Sequence, residues 1–421
     1  MRVTEEEKEA RYAGWPDRVK HARLVRSGIS SLLLPEEDAA ARESARYRRR
    51  YAVNVTCLQA VDLKRVEGSA DGLRVPVGSA HAGEAPLIGL YARLEKAAVR
   101  ALYTLGLDSG EVVLASSGER KFGVERVTPS SGIKDPRIKA RYDRAETELA
   151  RRLRREEEEG IRLVMGMDPE FVLVDAGSNE MVPASRFLDR EGEVGCDAVH
   201  GEGFTTFPIA ELRPDPSGDP TGLLRRLMFT MQAAGRMIGD RSLIWQAGGM
   251  PRPGLPLGGH LHFSGIVLTP ELLRALDNYL TLPVSLLEDE NSRARRPKYG
   301  YLGDFRLQPH GGFEYRTLPS FLVSPLLAKG VVYLSYLIVS HYRALKMRPL
   351  DASERVHRAY YRGDREVLKP AVRPLFGEIR QLPDYGNYAG SIEPLLAHIE
   401  RGTTWNESRD IRPLWNIPVE P

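Results

Sequence analysis

The sequence predicts an α+β protein with one sheet that carries a charged face, followed by a helical C-terminal region. From Ile161 onward, short apolar runs of strand length alternate with helical stretches. Four of these runs place acidic, histidine or arginine side chains on one face and apolar side chains on the other, as the alternation of a strand allows. After Leu326 the pattern is mainly helical. Together these observations predict a sheet core whose polar, concave face carries a functional site.

A chain of 421 residues exceeds what one hydrophobic core usually supports. Changes of pattern predict three regions: an N-terminal α/β region over residues 1–160, a sheet core over 161–326 that carries the motifs, and a helical region over 327–421 that packs on the core. The segments Trp405–Glu407 and Trp415–Asn416 either close the site or pack against the sheet, and packing is favoured. No repeat at solenoid periods is visible, so an array fold is disfavoured.

The N-terminal region starts with a charged helical stretch and reaches its first strand-like segment at Tyr51–Leu58. Glycine, alanine and proline over residues 68–89 indicate a loop. Apolar residues at helical spacing from Leu90 to Leu105 predict an amphipathic helix, which Gly106 is suited to end. A second, highly charged helix then runs to Gly160, and a solvated helix face explains its charges better than an acidic partner does.

The remaining helices are predicted from apolar periodicity of about 3.6 residues. Two of them alternate with the strands of the core, and three belong to the C-terminal region. In chain order these predicted helices are Leu223–Ile238, Glu271–Glu288, Val331–Met347, Ser353–Tyr361 and Ser391–Arg401.

Composition excludes several classes of partner. Sixty Lys and Arg against 57 Asp and Glu give a net charge of +3, too balanced for a nucleic-acid coat or a polybasic membrane anchor. The longest apolar stretch, Val331–Val339, is too short to span a bilayer, and the acidic N-terminus does not resemble a signal segment. Cys57 and Cys196 form no disulfide framework or zinc knuckle. We therefore expect a cytoplasmic protein without nucleic-acid or membrane partners, and a homo-oligomer is plausible on general grounds.

The first two motifs each place a carboxylate on a strand face. In the strand around Met167, Asp168 and Glu170 point to the same face, although an Asp-Pro pair also marks strand ends and turns. Further along, Glu211 and Arg213 are neighbours on one strand face, which an ordinary surface ion pair explains equally well. Neither motif is decisive by itself.

The third motif contains two histidines on one strand face. His260 and His262 alternate with Leu261 and Phe263, so both imidazoles point the same way. Paired imidazoles can bind a divalent metal or donate to a phosphate, whereas the structural alternative is a satisfied core histidine beside a turn. We favour the functional interpretation, and the pattern does not tell which histidine would bind metal.

The fourth motif places Glu314 and Arg316 on one face, with Arg306 in a glycine-containing segment just upstream. Carboxylates with a histidine can hold two or three Mg²⁺ ions, these ions can bridge nucleotide phosphates, and arginines can stabilise a transferring phosphoryl group. The sequence contains neither a phosphate-binding P-loop nor a Rossmann glycine motif nor a zincin H-E-x-x-H motif. The four motifs therefore indicate an ATP site built on a sheet.

The motifs, in this order, resemble the type 2 COOH-NH2 ligases, which are predicted amidoligases common in bacterial and prophage genomes and are similar to the glutamine synthetase and glutamate-cysteine ligase superfamily. The segments that carry the resemblance are Gly166–Phe171, Gly195–Asp197, Glu211–Pro214, Gly258–Phe263 and Phe313–Thr317. It covers residues 166–325 closely. The resemblance implies a curved antiparallel sheet that holds Mg-ATP on its concave face, with helices packed on the convex side.

The resemblance also implies roles for individual residues. Mg²⁺, or alternatively Mn²⁺, would be bound by Asp168, Glu170, Glu211, His260 and Glu314. ATP would be contacted by Arg213, His262, Arg306 and Arg316, and the catalytic groups would be Arg316, Arg306 and Glu211. The chain departs from the family pattern where Ala198 follows Asp197 and where residues 199–207 look inserted. No role is therefore carried over to Asp197, His200 or Glu202.

The function that follows is that of an ATP-dependent carboxylate-amine ligase, which forms an amide through an acyl phosphate from small-molecule or peptide substrates. No Cys-His or Ser-His-Asp pattern is visible, and this reaction needs no covalent enzyme nucleophile. One alternative is a guanidino-type phosphotransferase on the same fold. The other is a non-catalytic phage or binding protein that retains a metal-nucleotide site.

Overall fold

The computed structural model describes residues 4–35, 48–66, 74–75, 89–116, 121–200, 204–309 and 311–419. The chain divides into two compact units. The first contains residues 1–159 and 351–358, and the second contains residues 160–350 and 359–421. The division of the sequence into three functional regions stays a prediction.

The first unit contains a five-stranded antiparallel sheet in the order β3-β2-β1-β4-β5. Helix α3 packs against β1 and β4. The strands are β1 Arg50–Thr56, β2 Gln59–Val66, β3 Arg74–Val75, β4 Gly110–Ser116 and β5 Phe122–Pro129, and the helices are α1 Glu5–Gly14, α2 Asp17–Arg26, α3 Leu90–Thr104 and α4 Pro136–Glu159.

The predicted strand at Tyr51 and the two later helices of this region are confirmed within about two residues, whereas the charged helical stretch before the strand is confirmed only for Glu5–Gly14 and Asp17–Arg26, because residues 27–35 are not helical and residues 36–47 lie outside the described part. Helix α3 ends as predicted, because Gly106 adopts a φ of +77° that favours glycine and lets the Leu107 N–H reach the Leu102 carbonyl at 3.0 Å. Helix α4 buries Ile138 and Tyr142 on one side and leaves most of its charged residues exposed. Apart from β3 and Gly89, the predicted loop over residues 68–89 lies outside the described residues.

The second unit is built on an eight-stranded antiparallel sheet. Its main path is β12-β13-β11-β6-β9-β8, and β7 and β10 pair with the far end of β6. The strands are β6 Val164–Asp175, β7 Met181–Val182, β8 Val194–His200, β9 Thr205–Leu212, β10 Leu243–Gln246, β11 Gly259–Ser264, β12 Phe305–Leu307 and β13 Phe313–Tyr315. The predicted α+β class with a curved antiparallel sheet and a helical C-terminal region is confirmed.

The helices predicted for the second half of the chain are present, but Pro325–His341 and Tyr385–Arg401 each begin six residues before the predicted start, and the helix Arg365–Arg380 is not among the predicted ones. The predicted helix Glu271–Glu288 is interrupted by a π-helical turn at Asp277–Thr281, which separates α6 from the short α7. The bounds are α5 Pro220–Met237, α6 Pro270–Leu276, α7 Leu282–Val284, α8 Pro325–His341, α9 Pro349–Ala352, α10 Glu354–Arg362, α11 Arg365–Arg380 and α12 Tyr385–Arg401. In the described part of the chain, none of the helices combines the length and the apolar character that crossing a bilayer requires.

Strand β6 separates two environments. Its Met167, Phe171 and Leu173 side chains are buried on one face, and Phe171 stacks on Trp245 of β10 with ring centroids 4.6 Å apart. Helix α5 packs against β6, β8 and β9. Burying a side chain the size of phenylalanine contributes roughly 1.5–3 kcal/mol, so this face anchors the strand. The opposite face is left for the acidic motif.

Candidate functional site

Strand pairing brings the four predicted motifs onto one face of the second sheet. Asp168 of β6 lies opposite His260 of β11, and His262 lies opposite Glu314 of β13. On the other side of β6, Glu170 lies opposite Glu211 of β9. Residues directly opposite in antiparallel strands share a face, so side chains separated by up to 146 positions in the sequence become neighbours.

Asp168, His260 and Glu314 form the centre of this face. Their ligand atoms all lie within 4.8 Å of one another. The Nδ1 atom of His260 is 3.0 Å from Oδ1 of Asp168 and 3.3 Å from Oε1 of Glu314. His260 and Glu314 are buried, and Asp168 is half-buried.

These atoms fit a divalent cation. Oδ1 of Asp168 and Nδ1 of His260 are both buried, and among the described residues neither makes a hydrogen bond of acceptable geometry, although they face each other. Buried polar atoms without partners are costly, and a cation between them would give each a ligand role. Two carboxylates and one imidazole suit Mg²⁺ or Mn²⁺, which prefer oxygen ligands.

The two histidines occupy different positions. His260 is buried, and Gly258 makes room for its ring, because a Cβ atom at position 258 would lie 2.3 Å from its Nε2 atom. His262 is about a third exposed, and its Nε2 atom contacts the other carboxylate oxygen of Asp168 at 3.0 Å. The geometry therefore favours His260 as the ligand and leaves His262 at the edge. Their predicted roles stay predictions.

The charge of Asp168 is set by its neighbours. Burial by itself would raise the pKa of Asp168, but the adjacent His260 and His262 outweigh this effect and lower the pKa below its usual range. The converse holds for His260. Burial would lower the pKa of His260, but the negative charges of Asp168 and Glu170 raise it. Without a cation, the cluster is held together by this mutual attraction.

Glu314 is surrounded by donors on the β12 side. Arg316 pairs with Oε1 of Glu314, while Gln308 Nε2 donates to Oε2 at 3.2 Å and Arg306 Nε lies 3.4 Å from the same atom. Arg306 is 60% exposed and thus accessible to a ligand. Strand β13 ends at Tyr315, so Arg316 lies just beyond the strand that its motif predicted, although its N–H still donates to the Asp304 carbonyl at 2.9 Å.

Glu170 is held tightly by the backbone of the neighbouring segment. Its Oε2 atom accepts the Gly258 N–H at 2.6 Å, and the Ser320 hydroxyl donates to its carbonyl at 2.5 Å. Burial raises the pKa of Glu170 to about 7, although the charge of His260 opposes the shift. Sequence reasoning missed Ser320, because a serine after Pro319 carries no local signal of a contact with a residue 150 positions away.

Glu211 is the second buried carboxyl on this side of β6. Burial, together with the negative charge of Asp168, raises the pKa of Glu211 to about 8, although Arg213 opposes the shift. Arg213 pairs with Glu211, as the sequence predicted for strand neighbours. Glu170 and Glu211 therefore tend to keep their protons near neutral pH, and a cation nearby would favour their charged forms.

Arg213 is positioned by the backbone of the segment that precedes β8. Its guanidinium donates to the carbonyls of Arg190 at 3.1 Å and Gly192 at 3.4 Å. Gly195 leaves the space it needs, because a Cβ atom at position 195 would lie 2.1 Å from its Nη1 atom. The close contact of the Arg213 guanidinium with the backbone at position 195 therefore explains why the Gly195–Asp197 motif begins with glycine.

The segment that looked inserted contains the end of β8 and the start of β9, which pair antiparallel, while residues 201–203 lie outside the described part. Asp197 lies opposite Ile209, on the face that carries Glu211, and its exposed carboxylate accepts the Ala198 N–H at 2.7 Å. The side chain of His200 and the whole of Glu202 lie outside the described residues. The structure therefore places Asp197 beside the candidate site.

Glu407 supports the site from the C-terminal segment. It is buried and accepts hydrogen bonds from the N–H groups of Gly249 at 2.5 Å and Met250 at 2.8 Å, from Trp405 Nε1 at 3.0 Å and from the Ser292 hydroxyl. This agrees with the predicted packing role of Trp405–Glu407. Sequence reasoning did not identify Glu407 as a buried acceptor.

The chain matches one protein-family model and, at low sequence identity, several solved structures. The family model described as phage phiEco32-like COOH.NH2 ligase-type 2 matches residues 165–417. No curated protein sequence matches the chain.

Solved structures match at low identity. A bifunctional glutathione synthetase from Pasteurella multocida is 12% identical, with a TM-score of 0.35, over 59% of this chain and 48% of that one. The chain thus spans about half the length of that protein. A Plasmodium falciparum glutamine synthetase is 12% identical over 74% of this chain and 76% of that one, with a TM-score of 0.28. A ligand-free GmaS is 12% identical over 87% and 96%, with a TM-score of 0.34.

Proposed function

The chain belongs to the phage phiEco32-like COOH-NH2 ligase type 2 family, and from this premise we propose that it is an ATP-dependent carboxylate-amine ligase that works through an acyl phosphate. The observation that carries the proposal is the buried cluster of Asp168, His260 and Glu314 with arginines at its edge. A carboxylate and an amine from small molecules or peptides are the proposed substrates.

The chain's acidic residues are proposed to form the metal centre. Asp168, His260 and Glu314 would hold one cation, and Glu170 and Glu211 would add negative charge on the other side of β6 once a cation draws off their protons. When bound, Mg²⁺ or Mn²⁺ neutralises phosphate charge and polarises the phosphoryl group. The unpaired Oδ1 of Asp168 and Nδ1 of His260 support this assignment.

Arginines are proposed to stabilise the transferring phosphoryl group. Arg316 and Arg306 both lie at Glu314, and their remaining N–H groups can donate to the negative oxygens of a phosphate. Such donors lower the barrier most when they are already in place before the reaction. Glu314 holds Arg316 in that way. Arg213 and His262 are proposed as further contacts to ATP.

The proposed chemistry has two steps. In the first, an oxygen of the substrate carboxylate attacks the γ-phosphorus of ATP, and the bond from that phosphorus to the bridging oxygen breaks to release ADP. In the second, the amine nitrogen attacks the acyl carbon, loses a proton and displaces inorganic phosphate. Glu211 is proposed as a catalytic carboxylate beside the reacting groups, with its place set by Arg213. A site that excludes water protects the acyl phosphate from hydrolysis.

Calorimetry of Mg²⁺-dependent ATP binding, followed by an ADP-release screen against pools of amino acids and peptides, tests the proposal. We expect ADP release only when a carboxylate and an amine are both present. Release with a guanidino compound alone, giving a phosphorylated product, would instead identify a phosphotransferase. ATP binding that never leads to turnover in any pool, or no ATP binding at any Mg²⁺ concentration, would support the non-catalytic alternative.

Matched variants locate the activity. Glu314→Gln and Arg316→Ala should each reduce turnover by about 100-fold or more, as expected when a preorganised charged group is lost at the reacting centre. Glu366→Gln is the control, because its side chain is 87% exposed on α11. Equal activity of all three variants would contradict the assigned site.

A further inference from the structure

A cavity lies within the second unit, on the face of the sheet opposite Asp168 and Glu170. Its volume is about 430 Å³, and it is lined by the C-terminal end of α5, by Trp245 of β10, by Arg412 and by residues 416–418. Trp245 pairs with Leu173 and stacks on Phe171, and both of those residues point away from the acidic face of β6. The cavity is therefore separate from the candidate ligase site.

Trp245 meets this cavity as a buried apolar side chain. Its side chain is 1% exposed, and its indole N–H is shielded from solvent and has no acceptor among the described residues. Because solvent does not reach this N–H, the indole gives the cavity apolar contact and no accessible donor.

The cavity wall is positively charged. Arg236, Arg241 and Arg412 line it, and the described lining residues include no aspartate or glutamate. Arg412 is committed to Asp410, with Nη2 to Oδ2 at 2.8 Å. Arg236 and Arg241 are exposed and make no ion pair with any residue that the structure describes. Two arginines are thus available to an anion.

The remaining wall is apolar. Ile238, Ile417, Pro418 and the indole of Trp245 supply it. A volume of about 430 Å³ falls within the range of small-molecule sites, roughly 300–1,000 Å³. We propose that this cavity binds a small organic anion, whose carboxylate or phosphate pairs with Arg236 and Arg241 and whose apolar body lies against the isoleucines and the Trp245 ring.

Isothermal calorimetry on the full chain tests the proposal with four probes: benzoate, AMP, inorganic phosphate and uncharged benzamide. We expect benzoate or AMP to bind saturably at a site that remains when Glu314→Gln removes the candidate metal centre. Benzamide should bind more weakly than benzoate because it has no charge for the arginines. Stronger binding of benzoate would identify the carboxylate as the recognised group, and stronger binding of AMP would identify the phosphate.

Variants separate this cavity from any other binding site. Arg236→Ala and Arg241→Ala should each weaken binding about tenfold, as loss of a hydrogen bond to a charged group does. The double variant Arg236→Ala, Arg241→Ala should weaken it by at least as much. The control is Arg225→Ala, which is exposed on α5 outside the cavity.

Three outcomes would overturn the proposal. The first is no saturable binding of benzoate or AMP up to millimolar concentration. The second is binding that the Arg236 and Arg241 variants leave unchanged. The third is binding of phosphate alone, which would mean that the cavity does not select an organic body.

Discussion

At the scale of single residues, the candidate site depends on one buried histidine. His260 Nδ1 lies between Asp168 and Glu314, at 3.0 Å and 3.3 Å, whereas His262 contacts only the outer oxygen of Asp168. The two histidines therefore differ in burial and in the number of carboxylates they meet. This difference gives a test of which imidazole binds the metal.

His260→Gln should lower the affinity for Mn²⁺ by more than about tenfold, because even groups that merely orient metal ligands cost about 10–100-fold when lost. His262→Gln should have the smaller effect, because its ring lies at the edge of the cluster. Calorimetric titration with Mn²⁺ in the absence of nucleotide measures both. His398→Gln is the control, since this residue lies on α12 and its ring contacts only Arg401 at 2.7 Å. A larger loss in His262→Gln would reverse the assignment.

Gly195 is the second residue on which the site depends, because it admits the Arg213 guanidinium. Gly195→Ala would place a methyl group 2.1 Å from Nη1 of Arg213 and so displace it from Glu211. We expect ADP release to fall by about tenfold or more, since a small misplacement of a positioned group can cost on the order of 100-fold.

Gly377→Ala provides the matched control for the glycine variant. A Cβ atom at position 377 meets nothing within 4 Å, and the residue lies inside helix α11. Alanine should stabilise that helix by about 1 kcal/mol and leave turnover unchanged. If Gly195→Ala retained full activity while remaining folded, Arg213 would have no part in the reaction.

At the scale of elements, the segment between β10 and β11 is held by a carboxylate from the C-terminal segment. Glu407 accepts from Gly249 and Met250, and the Gly249 carbonyl accepts the Leu257 N–H at 3.0 Å, one residue before the Gly258 that binds Glu170. The buried Glu407 carboxylate, with its four hydrogen-bond donors, therefore supports the start of β11 beside the site.

Glu407→Gln should lower the free energy of unfolding by about 1–3 kcal/mol, because an amide N–H₂ would face N–H donors that it cannot satisfy. Urea titration followed by circular dichroism measures the change. Glu400→Gln, an exposed position near the end of α12, should leave the midpoint unchanged. Equal midpoints for both variants would mean that water or another group replaces Glu407.

At the scale of the whole molecule, stability should depend on pH through a histidine in the first unit. His357 is buried within the segment 351–358, which belongs to that unit. Burial, together with the positive charges of Arg23 and Arg26, lowers the pKa of His357 well below 6.5. Arg23 is itself buried and pairs with Glu354 at 3.3 Å, so acidic groups near His357 are already engaged.

The unfolded chain takes up the His357 proton near pH 6.5, whereas the folded chain resists it. The free energy of unfolding should therefore fall as the pH drops below about 6.5, by up to about 1.4 kcal/mol per pH unit from this group. His357→Gln should flatten that slope, as urea titrations at pH 7.5, 6.5 and 5.5 would measure. An unchanged slope in the variant would show that other groups control the acid sensitivity.

Prediction from the sequence succeeded where the signal is local. The alternation of Asp168 and Glu170 with Phe171 identified a strand face, and the periodicity from Leu90 to Leu105 identified a helix with its glycine end. The sequence did not predict the hydrogen bonds of Ser320 with Glu170 and of Gln308 with Glu314. Those contacts are made across strands, and nothing in the flanking residues encodes the partner.

Alternation along a strand has a period of two residues, so the sequence is enough to tell which side chains share a face, and the order of the motifs is enough to suggest the family. Which faces meet depends on strand pairing. The register of β6 with β11 places His260, not His262, opposite Asp168, and a shift of β11 by one residue would turn both histidines away from the face that carries Asp168. The cavity at Trp245 likewise depends on how α5 and the Arg412–Pro418 segment pack, which no local pattern specifies.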